Sequence, residues 1–153
     1  VPLIVQQAKQ LGWKKPILGS DSWASDELVK LCGKDCLGSF FVSHYASAGA
    51  KGATKEFIDR YKAKYGVIPD DVAALTWDAI GLIGQGIKNA GKITGDIKKD
   101  REAVRNGIGS IKDYPGITGA ISFPPGSGDP VKCANIVKIN DKGEFEFYKL
   151  SCP

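Results

Sequence analysis

A carboxylate set between two hydroxyls, in the run Gly19-Ser20-Asp21-Ser22-Trp23, is the part of this sequence best suited to hold a charged ligand. It follows a short apolar stretch, Pro16 to Leu18, and precedes a helical pattern. That is the carboxyl end of a predicted strand, where open α/β sheets hold their ligands. At such a position Asp21 has two readings. Its side chain can cap the backbone of its own turn. Alternatively it can accept charge-assisted hydrogen bonds from a ligand ammonium, worth about 1.5–3 kcal/mol when sheltered from water. In the second reading Ser20 and Ser22 flank the site and Trp23 forms a wall.

Covalent chemistry is not indicated, because an acid-base or nucleophilic enzyme needs a nucleophile beside a base, or two carboxylates in reach. The single histidine, His44, adjoins Ser43, but neighbours on a strand point to opposite faces. It reads as a structural or hinge residue. Gly126-Ser-Gly128 has the glycines of a phosphate loop without the lysine and hydroxyl that end one, and it leads into a strand instead of a helix. The four cysteines, Cys32, Cys36, Cys133 and Cys152, fall into two local groups. An even count suits two disulfides and an oxidising compartment. As zinc ligands they are poorly spaced and lack a histidine partner, so neither a metal nor a cofactor is implied.

Composition narrows the class further. With 42% apolar and 25% charged residues among 153, the chain is neither disordered nor fibrous, and it is long enough to bury a core. The net charge of +4 is spread over single lysines, with only Lys14-Lys15 and Lys98-Lys99 paired. No aromatic residues interleave them, so no nucleic-acid partner is expected. No apolar run approaches the ~20 residues of a membrane span.

The elements that must position these residues follow from periodicity. Leu3, Ile4, Gln7, Ala8 and Leu11 predict a helix over 1–11, and a chain that opens inside a helix is expected to have lost a preceding segment. Pro16 to Leu18 predicts a buried strand. Ser25 caps a second helix, with Asp26 and Glu27 in its first turn and Leu28, Val29 and Leu31 on its face, ending at Gly33. Gly38 to Ser43, centred on Phe40-Phe41-Val42, predicts a strand buried on both faces of a parallel sheet. After a small-residue stretch from Ala46 to Ala53, Phe57, Tyr61 and Tyr65 mark a helix face that reads as core. Asp70 and Asp71 cap a long helix with the stripe Val72, Leu75, Ala79, Leu82, Ile83 and Ile87. Its glycines, Gly81, Gly84 and Gly86, each cost around 1 kcal/mol relative to alanine, so close approach of a neighbouring element is expected there. A further helix spans 99–110.

The last third reads as strands: 119–123, then 131–139 and 143–150 around the hairpin signal Asn140-Asp141-Lys142-Gly143. With Lys142-Gly143 as a two-residue loop, Cys133 falls opposite Cys152, although a one-residue slip would move the pairing. Cys32 and Cys36 could close a small loop at a helix end. Cross-pairing between the groups is the alternative.

Taken in order, Gly19-Ser-Asp-Ser-Trp23, Gly38-Ser-Phe-Phe-Val-Ser-His-Tyr45, Phe57-Ile-Asp-Arg-Tyr61, Tyr65-Gly-Val-Ile-Pro69, Ala73-Ala-Leu-Thr-Trp-Asp-Ala79 and Gly116-Ile-Thr-Gly-Ala-Ile-Ser-Phe123 resemble the C-terminal half of a type I periplasmic solute-binding protein. The nearest group is the leucine/isoleucine/valine-binding receptors of ABC importers. The resemblance implies an α/β fold made of pieces of two three-layer α/β/α lobes with hinge crossovers, the N-terminal half being absent. Residues 1–43 would belong to the C-terminal lobe and 48–125 to the N-terminal lobe. Residues 134–153 would form a crossover strand and a terminal hairpin returning to the C-terminal lobe.

The resemblance also implies roles. Asp21 matches the acid that binds the ligand's α-ammonium, Val72 lies near a position that touches the ligand side chain, and His44 and Tyr45 lie at a hinge. The family implies a non-enzymatic, secreted or lipid-anchored protein of the periplasm or cell exterior. It would close around an amino acid and dock on an ABC permease. This chain would need its complementary N-terminal half, as a second chain or a swapped copy. A ligand-sensing domain of the same fold, or a receptor for an amide or aromatic acid, is the alternative.

Overall fold

The computed structural model describes Val1–Pro153, the side chain of Asp26 excepted, so the expected charge of Asp26 at a helix start lies outside the described residues. In chain order the elements are α1 (Pro2–Gln10), β1 (Leu18–Gly19), a single 3-10 turn (Asp21–Trp23) and α2 (Asp26–Cys32) with a second such turn (Gly33–Cys36). There follow β2 (Phe40–Ser43), α3 (Gly52–Tyr65), α4 (Asp71–Ala90), α5 (Ile97–Gly109), β3 (Tyr114–Gly116), β4 (Gly119–Ile121), β5 (Ala134–Ile139) and β6 (Phe145–Ser151). Contacts group them into two units, Val1–Asp71 with Ala134–Ser151, and Val72–Cys133 with Cys152–Pro153. No described helix is long and apolar enough to cross a membrane.

The first unit is built on a four-stranded sheet ordered β1-β2-β5-β6. β1 runs parallel to β2, whereas β2, β5 and β6 pair antiparallel, so the expected parallel sheet is in fact mixed. Its core joins Val5, Trp23, Leu28, Phe41, Val137 and Ile139 to the Cys32–Cys36 disulfide. Several predicted faces differ, with Leu18 of β1, Leu31 of α2 and Tyr65 of α3 exposed where burial is expected. On α1 it is Val5 that is buried, while Leu3, Ile4 and Leu11 are exposed. In β2 only Phe41 and Ser43 are buried and Val42 faces out, the one-sided covering common in antiparallel sheets. Ser25 caps α2 as expected, accepting from the Glu27 N–H at 3.3 Å.

Buried polar groups gather where β2 ends. The Ser43 hydroxyl accepts from the Tyr45 N–H at 3.2 Å and lies 2.6 Å from the Tyr45 carbonyl and 3.2 Å from Asp71 Oδ1. Tyr45 is 7% exposed, and its hydroxyl has no partner among the described residues. Burial, with the nearby charges of Asp71 and Asp70, pushes that phenol up to about 12.

The β5–β6 hairpin departs from expectation in its loop and agrees at its open end. The loop has three residues, Asp141-Lys142-Gly143, with Gly143 at φ 79° and the Asn140 side chain accepting from the Lys142 and Glu144 N–H groups, both at 2.9 Å. Beyond it, Val137 pairs with Phe147 but Ile136 with Lys149, so Tyr148 is an extra residue in a bulge. The bulge cancels the shift made by the longer loop. Cys133 therefore still meets Cys152, with Cα atoms 4.2 Å apart. Val131 is not part of β5 and bridges to Ser122 instead.

In the second unit α4 packs through an unexpected face. Val72, Ile83 and Ile87 of the predicted stripe are exposed, and the covered side carries Ala74, Asp78, Gly81 and Gly86. The small residues allow close approach, as expected for two of the three glycines. A Cβ at Gly81 would lie 1.9 Å from the Tyr114 hydroxyl, one at Gly86 2.3 Å from Ile108, and one at Gly107 of α5 2.2 Å from the Gly86 carbonyl oxygen. Gly84, by contrast, faces open space.

Asp78, 2% exposed, reaches from α4 to the two-residue turn between β3 and β4. Its carboxylate accepts from the N–H groups of Ile117 and Thr118 at 2.8 and 2.9 Å and from the Thr118 hydroxyl at 2.7 Å. Lys132 in turn donates to that hydroxyl. The strand β3 has no counterpart in the predicted elements, and α5 begins two residues earlier than expected because Asp96 caps it, accepting from Lys98 and Lys99.

Two outcomes test this packing. Gly107→Ala should destabilise the chain by about 1–3 kcal/mol through the backbone clash, whereas Gly84→Ala should stabilise it by up to about 1 kcal/mol; urea unfolding measures both, and equal effects would contradict the close approach. For Tyr45, a folded-state phenol raised above its unfolded value near 10 contributes stability that is intact below pH 10 and lost as pH rises towards 12. Unfolding midpoints measured from pH 8 to 12 should fall over that window, less steeply in Tyr45→Phe.

Candidate functional site

The parallel pairing of Leu18 with Phe40 and Gly19 with Phe41 brings two chain segments out of the sheet side by side. One carries Asp21 and the other His44. Asp21 opens the 3-10 turn that follows β1, and its side chain is 58% exposed. Its Oδ2 lies 3.8 Å from Nε2 of His44, whose side chain is 35% exposed. The other ring nitrogen, Nδ1, is buried and has no partner among the described residues.

The turn is held rigidly from one side. A Cβ at Gly19 would fall 2.1 Å from the Trp23 ring, so only glycine lets the indole lie across the strand end. Trp23, expected to wall a ligand, is 5% exposed and sits in the core, where it braces the turn. Ser20 and Ser22 bond to one another, Oγ to Oγ at 2.8 Å, and neither hydroxyl caps the turn. No hydrogen bond from the backbone of this turn to the Asp21 side chain is present among the described residues. The carboxylate faces outward with its lone pairs available to a ligand.

The remaining sequence-predicted residues lie elsewhere. Tyr45 is buried behind β2, as described above. Val72, in the second unit, is 69% exposed in the first turn of α4. The cysteines form Cys32–Cys36 and Cys133–Cys152, the favoured pairing, and none is free. Among the described residues no group of three His, Cys, Asp or Glu side chains is placed to hold a metal.

Two clefts lie away from Asp21. In the first unit a space of about 760 Å³ lies among Phe41, Tyr45, Ile68, Asp71, Val137 and Phe147. Asp21 does not line it. In the second, about 620 Å³ opens beside Gly126-Ser-Gly128 and the end of α5. That end is carboxyl-terminal, and the dipole there disfavours an anion, so the glycines make no phosphate site. His44 as a neighbour of Asp21 was missed from sequence; the signal is that Asp21 comes two residues after β1 and His44 one after β2, strands that pair in parallel.

Comparison with known proteins gives this geometry a context. The leucine-binding protein LivK of Thermotoga maritima superposes with a TM-score of 0.84 at 30% identity, over 99% of this chain and 41% of its own. LivJ of Streptococcus pneumoniae, a branched-chain amino acid transporter substrate-binding protein solved with isoleucine, gives 0.77 at 28%, over 99% and 41%. A solute-binding protein of Rhodopseudomonas palustris solved with benzoate, at 21% identity and a TM-score of 0.72, shares the fold, over 99% and 40%. The chain thus spans about two fifths of the length of these structures. No curated protein sequence matches it. A family model described as periplasmic binding protein matches residues 1–144, and by that match this chain belongs to the periplasmic binding protein family, with the mixed α/β fold of its type I members.

Proposed function

We propose that this chain is the C-terminal half of an extracytoplasmic solute-binding component of an ABC importer, and that Asp21 binds the α-ammonium of a branched-chain or related amino acid. The observation that carries the reading is the placement of Asp21: an outward-facing carboxylate at the carboxyl end of β1, uncapped and braced by a buried Trp23. The likeness to leucine- and isoleucine-binding proteins supports the ligand class. Ser20 and Ser22 flank the carboxylate, and Val72 is assigned to the ligand side chain.

In this reading residues 1–43 belong to one lobe, 48–125 to the other, and 134–153 return to the first, with His44 and Tyr45 at a crossover. A ligand held by both lobes stabilises the closed form, and that form docks on the membrane permease. No covalent step is involved. The protein works in the periplasm or at the cell exterior, a setting with which its two disulfides agree. Groups for the ligand carboxylate are assigned to the complementary N-terminal half of the two-lobed protein.

The test is calorimetric titration of the assembled two-lobed protein with L-leucine. Asp21→Asn should weaken binding by about 10- to 100-fold, the loss of a charge-assisted hydrogen bond, while leaving the unfolding midpoint unchanged. An unaltered affinity would remove Asp21 from the site.

A further inference from the structure

We infer that His44 is a positioning residue of the binding site, whose Nε2–H holds one oxygen of the Asp21 carboxylate and so aims the other at the ligand's ammonium. The inference rests on the reading of Asp21 as the ammonium-binding acid and goes beyond the hinge role assigned to His44.

Three observations carry it. First, the two side chains are brought together by the sheet itself, since β1 runs parallel to β2 and the chain leaving each strand emerges at the same edge, leaving Nε2 3.8 Å from Oδ2. Closing that gap to hydrogen-bond length takes about 1 Å. Second, the ring has one choice of tautomer that is not wasteful. A neutral imidazole carries a single N–H. On Nδ1 that proton would be buried with no acceptor among the described residues, whereas on Nε2 it faces a carboxylate. Third, the backbone on both sides of the ring is fixed, because the Ser43 hydroxyl accepts from the Tyr45 N–H and spans His44.

The chemistry explains why a histidine suits this place. Among the described residues His44 is the one basic side chain within ion-pair distance of Asp21. A lysine or arginine there would carry a permanent positive charge and compete with the ligand's ammonium for the carboxylate. An imidazole, unlike those groups, can donate one N–H to the carboxylate without bringing a permanent charge. The pair therefore selects solutes that bring their own cationic nitrogen, an amino acid rather than a simple carboxylic acid.

A double-mutant cycle on the assembled two-lobed protein tests this, with L-leucine as the probe and affinity read by calorimetry. His44→Leu should weaken leucine binding about tenfold, the scale of one hydrogen bond to a charged group. His44→Gln, which keeps an N–H donor, should stay within about threefold of the parent. In an Asp21→Asn background His44→Leu should have little further effect, since the two residues act as one unit. An unchanged affinity in His44→Leu overturns the inference, as does an equal loss with and without Asp21, which would mark His44 as structural. If Asp21→Asn alone leaves affinity intact, the reading of Asp21 fails and takes this inference with it; the other two failures leave that reading standing.

Discussion

Everything at the candidate site depends on one short piece of parallel sheet, the pairing of Leu18–Gly19 with Phe40–Phe41. Parallel strands end on the same side, so whatever follows each strand emerges at the same edge. Here that is Asp21 after one and His44 after the other. The pairing is only two residues long, and it is secured by side chains on either side. Trp23 folds back over Gly19, and the Ser39 hydroxyl accepts from the Ile17 N–H at 3.2 Å just before the strand begins. β2 is then tied to β5 along its whole length. The site is a by-product of sheet geometry held by a buried indole, with no contribution from a long loop.

The second unit solves a different problem with a different device. A short hairpin such as β3–β4 is marginal by itself, and its turn amides would need partners once covered. Asp78 supplies them from a helix, taking both turn N–H groups and a hydroxyl on one carboxylate. A buried carboxylate left with fewer partners would be costly, so the three donors and the acid stabilise one another. The glycines of α4 serve the same end by letting α5 and Tyr114 come close enough for the helix to reach.

Much of this was readable from sequence, for physical reasons that differ by residue. Helix positions followed from periodicity and from caps such as Ser25, because those signals are local. The role of Gly81 and Gly86 followed too, but the same reasoning failed at Gly84, which has nothing packed against it. Which face of α4 would be covered did not follow. Counting large apolar side chains selected Val72, Ile83 and Ile87, yet covering depends on what can approach, and small residues won. The three-residue strand β3 carries Pro115 and too few residues for any alternation to register. The Asp21 turn was found from its residue types, but the histidine beside it is distant in sequence and visible only once two strands are paired.

The terminal hairpin carries a consequence for how this chain can change over evolutionary time. Its loop has one residue more than the tightest turn would need, and Tyr148 in β6 is one residue more than the ladder needs. Each extra residue alone would turn the outer half of β6 over and carry Cys152 away from Cys133. Together they leave the frame intact. Insertions and deletions in this hairpin are therefore neutral only as compensating pairs, one at the tip and one at the bulge, and the disulfide acts as the checksum that rejects a single change.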